Sequence, residues 1–333
     1  MRIASAQPSL WQGLALAVVL ALVAMLLGQW LPTVGGPVCA ILLGLIIRNS
    51  LGMKPVFQAG LSFVSNKVLQ WSIIALGFGL SITQVVQTGL QSLWVTLTTM
   101  AVAFIVAGLL GRLLRVPDKL LTLIGVGTAV CGGSAIAAVA PIIKPSEHET
   151  AFAISTIFLF NVAAVVAFPF FGHLMNMSDI GFGLWAGTAI NDTSSVVAAA
   201  YSYSAESGDY ATVVKLTRAT FIIPICLFYV FIEVKRQKEA GSHFSIRRLI
   251  PWFIVWFVVA SAIRSTGVLP AAALETLQLL AHFLMVLALA GIGLCSNMHT
   301  MLRTGWQPVA LGLGVWLAVS LTSLGVQSYS GAW

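Results

Sequence analysis

Two short stretches hold residue types that could do chemistry in a chain otherwise poor in them: Cys131-Gly132-Gly133-Ser134 and Asn191-Asp192-Thr193-Ser194. Both interrupt apolar runs. Glycine costs about 1 kcal/mol relative to Ala inside a helix, and Ser, Asp and Asn are preferred N-caps. Each stretch therefore ends one helical arm and starts another. The new arm offers free N–H donors and about half a positive charge, which suits an anion. Ser134 with the Gly132 and Gly133 amides reads as such an anion site, or as a kink that serves packing. Asp192 is the single acid lying mid-segment in the apolar chain. A carboxylate at a bilayer centre costs about 2.5–3.5 kcal/mol, less beside a wet helix break. It reads as a group coupled to a proton or sodium ion, with Asn191 and Thr193 as oxygen ligands, or as the N-cap of the second arm. Arg218 reads as a substrate contact or as a permanent partner of Asp192, and Lys215 as a cation that snorkels to the interface. The expected substrate-binding set is Cys131, Gly132, Gly133, Ser134, Asn191, Asp192, Thr193, Ser194 and Arg218. The expected coupling-ion set is Asp192, Asn191 and Thr193. No catalytic set, metal site or cofactor is expected.

The two stretches sit in a repeat. Residues 127–140 read GTAVCGGSAIAAVA and residues 187–200 read GTAINDTSSVVAAA. Gly127/Gly187, Thr128/Thr188, Ala129/Ala189 and Ser134/Ser194 are identical, and Val130/Ile190 is conservative. The interrupted elements are placed at 118–144 and 180–203.

Composition sets the class. Of 333 residues, 59% are hydrophobic and 8% charged, and mean hydropathy is +0.97. A soluble core has no use for that much apolar surface, so the chain reads as an all-α polytopic membrane protein. The net charge of +7 is a property of loops, and nucleic acid is excluded as a partner. Cys39, Cys131, Cys226 and Cys295 all fall in apolar stretches without a CxxC pair, against disulfides and metal sites. The N-terminal run from Leu14 to Leu27 lacks a small-residue cleavage site after it and reads as a retained first helix. No GxxxxGK[ST], HExxH or GxSxG is present, which gives no support to a pump driven by ATP or to an intramembrane hydrolase.

Apolar segments fall near 11–31, 35–50, 61–87, 92–114, 118–144, 147–172, 180–203, 208–234, 249–265, 271–299 and 306–327. The basic stretch from Glu233 to Arg248 holds Lys235, Arg236, Lys238, Arg247 and Arg248, and should face the cytoplasm. Alternating outward, Arg2, Arg48, Lys54, Arg112, Arg115, Lys119 and Arg303 fall on the same side, while Glu206 and Asp209 fall opposite. The N-terminus is then cytoplasmic and the C-terminus outside.

A further similarity joins Gly77-Phe78-Gly79-Leu80 to Gly291-Ile292-Gly293-Leu294, each followed by a GxQ at Gly89 and Gly305 that should start the next helix. Packing glycines explain the GxGL pattern equally well. If both interrupted stretches cross fully, there are 11 spans and the two repeats conflict in direction. If each is a re-entrant hairpin, there are nine full spans and both repeats are inverted. Inverted repeats whose broken elements meet at the midplane characterise secondary transporters. His282 reads as a hydrogen-bonded packing residue sooner than as a proton relay.

The blocks CGGSAIAAVAPIIK (131–144), AGTAINDTSSVVAAAY (186–201) and VKLTR (214–218) resemble the YeiH-type bacterial inner-membrane proteins, grouped as sulfate exporters, over nearly the whole chain. That family is itself similar to the bile-acid-sodium symporter and cation-proton antiporter superfamily. The resemblance implies a single transmembrane transporter domain over 1–333, with an elevator-type core of two crossing interrupted helices and a scaffold drawn partly from 11–50. It also implies His at the position of Asn191, a departure that bears on proton handling. The expected function is secondary transport of a small anion, sulfate or an organosulfonate, coupled to a proton or sodium gradient. The alternatives are a cation-proton antiporter using Asp192 and a non-transporting receptor or assembly protein. No enzyme activity is expected. The expected partners are a small anion and the lipid bilayer, and a homodimer is allowed for.

Overall fold

The structure, a computed structural model, describes residues 10–30, 35–236, 252–297 and 305–330. Arg2, Lys238, Arg247, Arg248 and Arg303, which carry part of the expected charge bias, lie outside the described residues. Among the described residues every regular element is helical. In order they are α1 (Leu10–Trp30), α2 (Gly35–Leu51), α3 (Pro55–Phe63), α4 (Leu69–Leu76), α5 (Ile82–Leu113), α6 (Asp118–Ala129), α7 (Gly133–Ile143), α8 (Glu147–Leu174), α9 (Asp179–Ala189), α10 (Thr193–Tyr203), α11 (Ala205–Thr220), α12 (Ile222–Arg236), α13 (Trp252–Ser265), α14 (Ala271–Cys295) and α15 (Trp306–Ser330). A π turn over Val64–Val68 joins α3 to α4, and a tight turn over Gly77–Gly79 closes them into one rod.

Among the described residues seven helices are long and apolar enough to cross a membrane: Leu10–Trp30, Pro55–Gly79, Ile82–Leu113, His148–Leu174, Ala205–Glu233, Ala271–Cys295 and Trp306–Tyr329. That is fewer than the expected nine to eleven. The helices at Gly36–Leu51 and Trp252–Ser265 are apolar but shorter, and the interrupted stretches are too short on each side of their breaks.

The chain forms two compact units. One comprises Met1–Val86, Tyr201–Ala205 and Trp252–His299. Its helices meet through small residues. A methyl added to Gly293 would lie 2.4 Å from the Ile41 carbonyl oxygen and 3.0 Å from the Gly44 Cα, so α14 and α2 touch backbone to backbone. Gly77 and Gly291 are equally crowded, against Phe257 and Val64. The GxGL glycines thus do packing work. The expected helix start at Gly89 is displaced: α5 begins at Ile82, where the Ser265 hydroxyl accepts the first amide, and Gly89 lies a full two turns inside.

The second unit comprises Gln87–Ala200, Glu206–Pro251 and Thr300–Trp333, and holds both interrupted stretches up to Ala200. Each is a hairpin. Lys119 Nζ, at the start of α6, donates to the Lys144 carbonyl just past α7 at 2.6 Å. A straight helix would hold those residues about 37 Å apart. Higher up, a methyl at Gly127 would sit 3.1 Å from Ile136 Cδ1 across the two arms. The second hairpin closes likewise, with the Ser207 hydroxyl, just past α10, donating to the Asp179 carbonyl at the start of α9 at 2.7 Å. The crossing-helix form implied by the family resemblance does not hold. Sharp N-caps set the entries: Ser146 forms a capping box with Glu149 at the start of α8, and Ser178 accepts from the Gly181 amide at the start of α9.

Since α8 runs from the base of the first hairpin to the base of the second, the hairpins enter from opposite ends of it. α11 and α12 repeat the trace. Ser207 lies at the base of the second hairpin, and Tyr229 and Glu233 line a cavity of about 540 Å³ with Asp118, Lys119 and Lys144 at the base of the first. Cysteines at the exposed Lys119 and Lys144 are expected to react with an impermeant thiol reagent from one face of the membrane, and one at Asn176 from the other. Labelling of Lys144→Cys from the face opposite Lys119→Cys would contradict the hairpin.

Candidate functional site at the tips of the hairpins

The breaks fall where the sequence places them. α6 ends at Ala129 and α7 starts at Gly133; α9 ends at Ala189 and α10 starts at Thr193. They also meet: a methyl on Gly132 would lie 3.5 Å from Asp192 Cβ. Both flank the middle of α8, against Ile157 and Asn161.

A helix C-terminus leaves carbonyls without partners, and their fate here is specific. The Val126 and Gly127 carbonyls accept from the Val130 and Gly132 amides at 3.0 and 2.9 Å. The next three are taken by α11. Arg218 Nη2 donates to the Thr128 carbonyl, Arg218 Nε to the Ala129 carbonyl at 2.7 Å, and Lys215 Nζ to the Val130 carbonyl at 2.8 Å. The same cations serve α9: Arg218 Nη1 donates to the Thr188 carbonyl and Lys215 Nζ to the Ile190 carbonyl at 2.9 Å. Each cation therefore joins equivalent positions of the sequence repeat, Thr128 with Thr188 and Val130 with Ile190. The Thr128 and Thr188 hydroxyls likewise both donate four residues back, to the Ile124 and Leu184 carbonyls. Lys215 and Arg218 are fully buried. Two negative helix ends and two positive side chains offset one another, which is how charge is kept at this depth. Lys215 does not reach an interface, and the hydrogen bonds of Arg218 go to backbone carbonyls. Close approach of α11 follows from small residues: a methyl at Gly187 would meet Val214 at 2.8 Å.

The opposite ends, where α7 and α10 begin, are treated differently. Asp192 caps α10: its Oδ2 accepts the Ser194 amide at 3.0 Å and the Ser194 hydroxyl. The Asp192 amide donates to Asn161 Oδ1 at 3.2 Å. α7 has no side-chain cap; Ser134 is exposed, and open space surrounds the position of a Gly133 methyl. Asn191 is 1% exposed, yet among the described residues neither its Nδ2 nor its Oδ1 has a partner, and Asn161 Nδ2, at 2% exposure, has none either. Buried amides are normally satisfied, since each orphaned group costs about 1–3 kcal/mol. Three such atoms lie beside two half-helix N-termini, which makes this a candidate ligand site. Cys131, Thr193 and Ser194 are buried around it. Asn161 is absent from the sequence-derived set. Its signal is a lone amide in the middle of an apolar helix, FLFNVAAVV. His282 belongs to the other unit, where its Nδ1 meets the Gln278 carbonyl at 2.9 Å.

Gly132 has φ 67° and ψ −129°, a region essentially closed to other residues. The nearest atoms to a methyl there are at ordinary contact distance, so Gly132→Ala costs backbone strain and not a clash. It is expected to lower stability by about 1–3 kcal/mol, read as a fall in melting temperature of the detergent-purified protein, and to cut ligand binding by displacing the α7 amides.

The family model for conserved hypothetical protein 698 matches residues 12–312. A UPF0324 membrane protein of Fusobacterium nucleatum is 41% identical over 339 residues, covering 96% of this chain and 98% of that protein. One from Streptococcus pyogenes serotype M18 is 43% identical over 331 residues, covering 96% and 97%. One from Streptococcus agalactiae serotype V is 39% identical over 328 residues, covering 96% and 98%. Their names state a membrane protein and no substrate. No solved structure matches the chain. With full-length similarity to membrane proteins and seven membrane-capable helices, the chain is a membrane protein of the UPF0324 family, described as conserved hypothetical protein 698.

Proposed function

We propose that this protein is a secondary transporter of a small anion, sulfate or an organosulfonate, working in the bacterial inner membrane on a proton or sodium gradient. One observation carries the reading. Lys215 and Arg218 close the carbonyl ends of α6 and α9, while among the described residues the amide end of α7 has no side-chain cap and Asn191 and the Asn161 Nδ2 have no partner. Half-helix N-termini aimed at an anion near the membrane midplane are a known transporter device. In this reading the two hairpins are inverted copies, and the unit that holds them moves against the other as an elevator. Arg218 positions the tips, and Ser134, Asn191, Thr193 and the Asn161 amide contact the anion, with Ser194 held by Asp192. Arg112, Lys119 and Lys144, at the base of the first hairpin, gather anions at a cytoplasmic mouth. Asp192 as the carrier of a cation antiporter fits less well, because its Oδ2 is occupied in capping α10.

The test is uptake of labelled sulfate, taurine and a bile-acid-like anion into proteoliposomes, with and without imposed proton and sodium gradients. The reading expects gradient-dependent accumulation of at least one anion. No flux of any of them removes it.

A further inference from the structure

The carbonyl ends of broken helices are where transporters of this general design hold a coupling cation. Here those carbonyls are already bonded to side chains of the chain itself. We propose that Lys215 is the coupling group, that the coupling ion is a proton carried on its Nζ, and that the co-transported anion is monovalent. This rests on the anion-transport reading above.

The geometry of Nζ argues for it. An ammonium has three N–H donors. Two go to Val130 and Ile190, and the third has no acceptor among the described residues. Loss of that third proton leaves a neutral amine that still has two N–H groups for the two carbonyls. The hairpin tips stay satisfied while the charge changes, which is what a cyclic proton carrier requires. Arg218 cannot do this, since a guanidinium keeps its proton.

The charges set the anion. The groups acting on Lys215 are Arg218 from its own helix, Asp192 from the α9–α10 turn and Cys131 from the α6–α7 turn. With the thiol neutral, two cations and one carboxylate leave a net charge of one positive. A monoanion neutralises it; a dianion overshoots. With Lys215 neutral the site has no net charge and holds the anion only through the helix N-terminus and the amides, more weakly. In low dielectric a neutral loaded site and a neutral empty site are the two forms that move at low cost. As the anion leaves, the proton passes from Nζ to water, and the amine takes up a proton from water on the other side. One proton and one monoanion move together, without net charge.

The test uses the full chain in proteoliposomes with labelled isethionate (a monoanionic sulfonate) and labelled sulfate, a pH dye and a voltage dye. The expected result is isethionate uptake driven by inward acid, one proton per anion, insensitive to membrane voltage, and at least tenfold faster than sulfate uptake. Lys215→Arg, with a fixed charge, should bind isethionate with a pH-independent affinity but lose proton-driven accumulation. Lys215→Gln should weaken binding at least tenfold. No transport of either probe overturns the proposal, and the parent reading falls with it when taurine and the bile-acid-like anion are not moved either. Transport that is sodium-driven, voltage-driven or faster for sulfate overturns this proposal alone. So does proton-driven accumulation surviving in Lys215→Arg.

Discussion

Arg218→Leu is expected to abolish the folded protein. The fully buried guanidinium bonds three carbonyls, those of Thr128, Ala129 and Thr188. Each orphaned buried acceptor costs about 1–3 kcal/mol, and a whole domain is stable by only about 5–15 kcal/mol. The added loss of a positive charge between two negative helix ends acts in the same direction. Detergent extracts should show aggregated or absent protein by fluorescence-detected size exclusion. Arg218→Lys keeps the charge but loses the planar fork, and should give a folded protein with a lowered melting temperature. A leucine variant melting within a few degrees of wild type would remove Arg218 from its capping role.

Asn191→Leu is expected to behave in the opposite way. Its amide is buried and neither polar atom has a partner, so the folded chain carries an unrelieved cost of about 1–3 kcal/mol. Leucine has a similar volume and no such cost. The variant should be as stable as wild type or more so by about 1 kcal/mol, while anion affinity falls at least tenfold, or about 1.4 kcal/mol. A stability gain with a binding loss is the mark of a residue kept for its ligand and not for the fold. Destabilisation of Asn191→Leu would show that the amide has a structural partner after all.

The two breaks were legible because glycine pairs and N-cap residues stand out against an apolar background, and the repeat placed them in register. The hairpin form was legible only through topology, since it is the arrangement that makes both repeats inverted; the residues themselves do not exclude a kinked crossing helix. Lys215 was misplaced because a lysine in the first part of a segment suggests an interface. α11 in fact starts at Ala205, at the base of a hairpin that stops halfway, so Lys215 lies ten residues in, about 15 Å, which is the length of a hairpin arm. Asn161 was missed because α8 has no break to draw attention to it. The start of α5 was misjudged at Gly89, since a glycine inside a long membrane helix, packed here against Thr217, looks the same in sequence as one at a helix end.

The most direct measurement places a single cysteine at Ser134, at the exposed first turn of α7, in a chain whose four native cysteines are replaced by alanine. The account predicts that a small water-soluble thiol reagent modifies it in intact membranes, although it sits at the tip of a hairpin, and that isethionate or sulfate slows the reaction in a dose-dependent way. A cysteine that never reacts, or one whose rate no anion changes, would contradict an open anion site between the two hairpin tips.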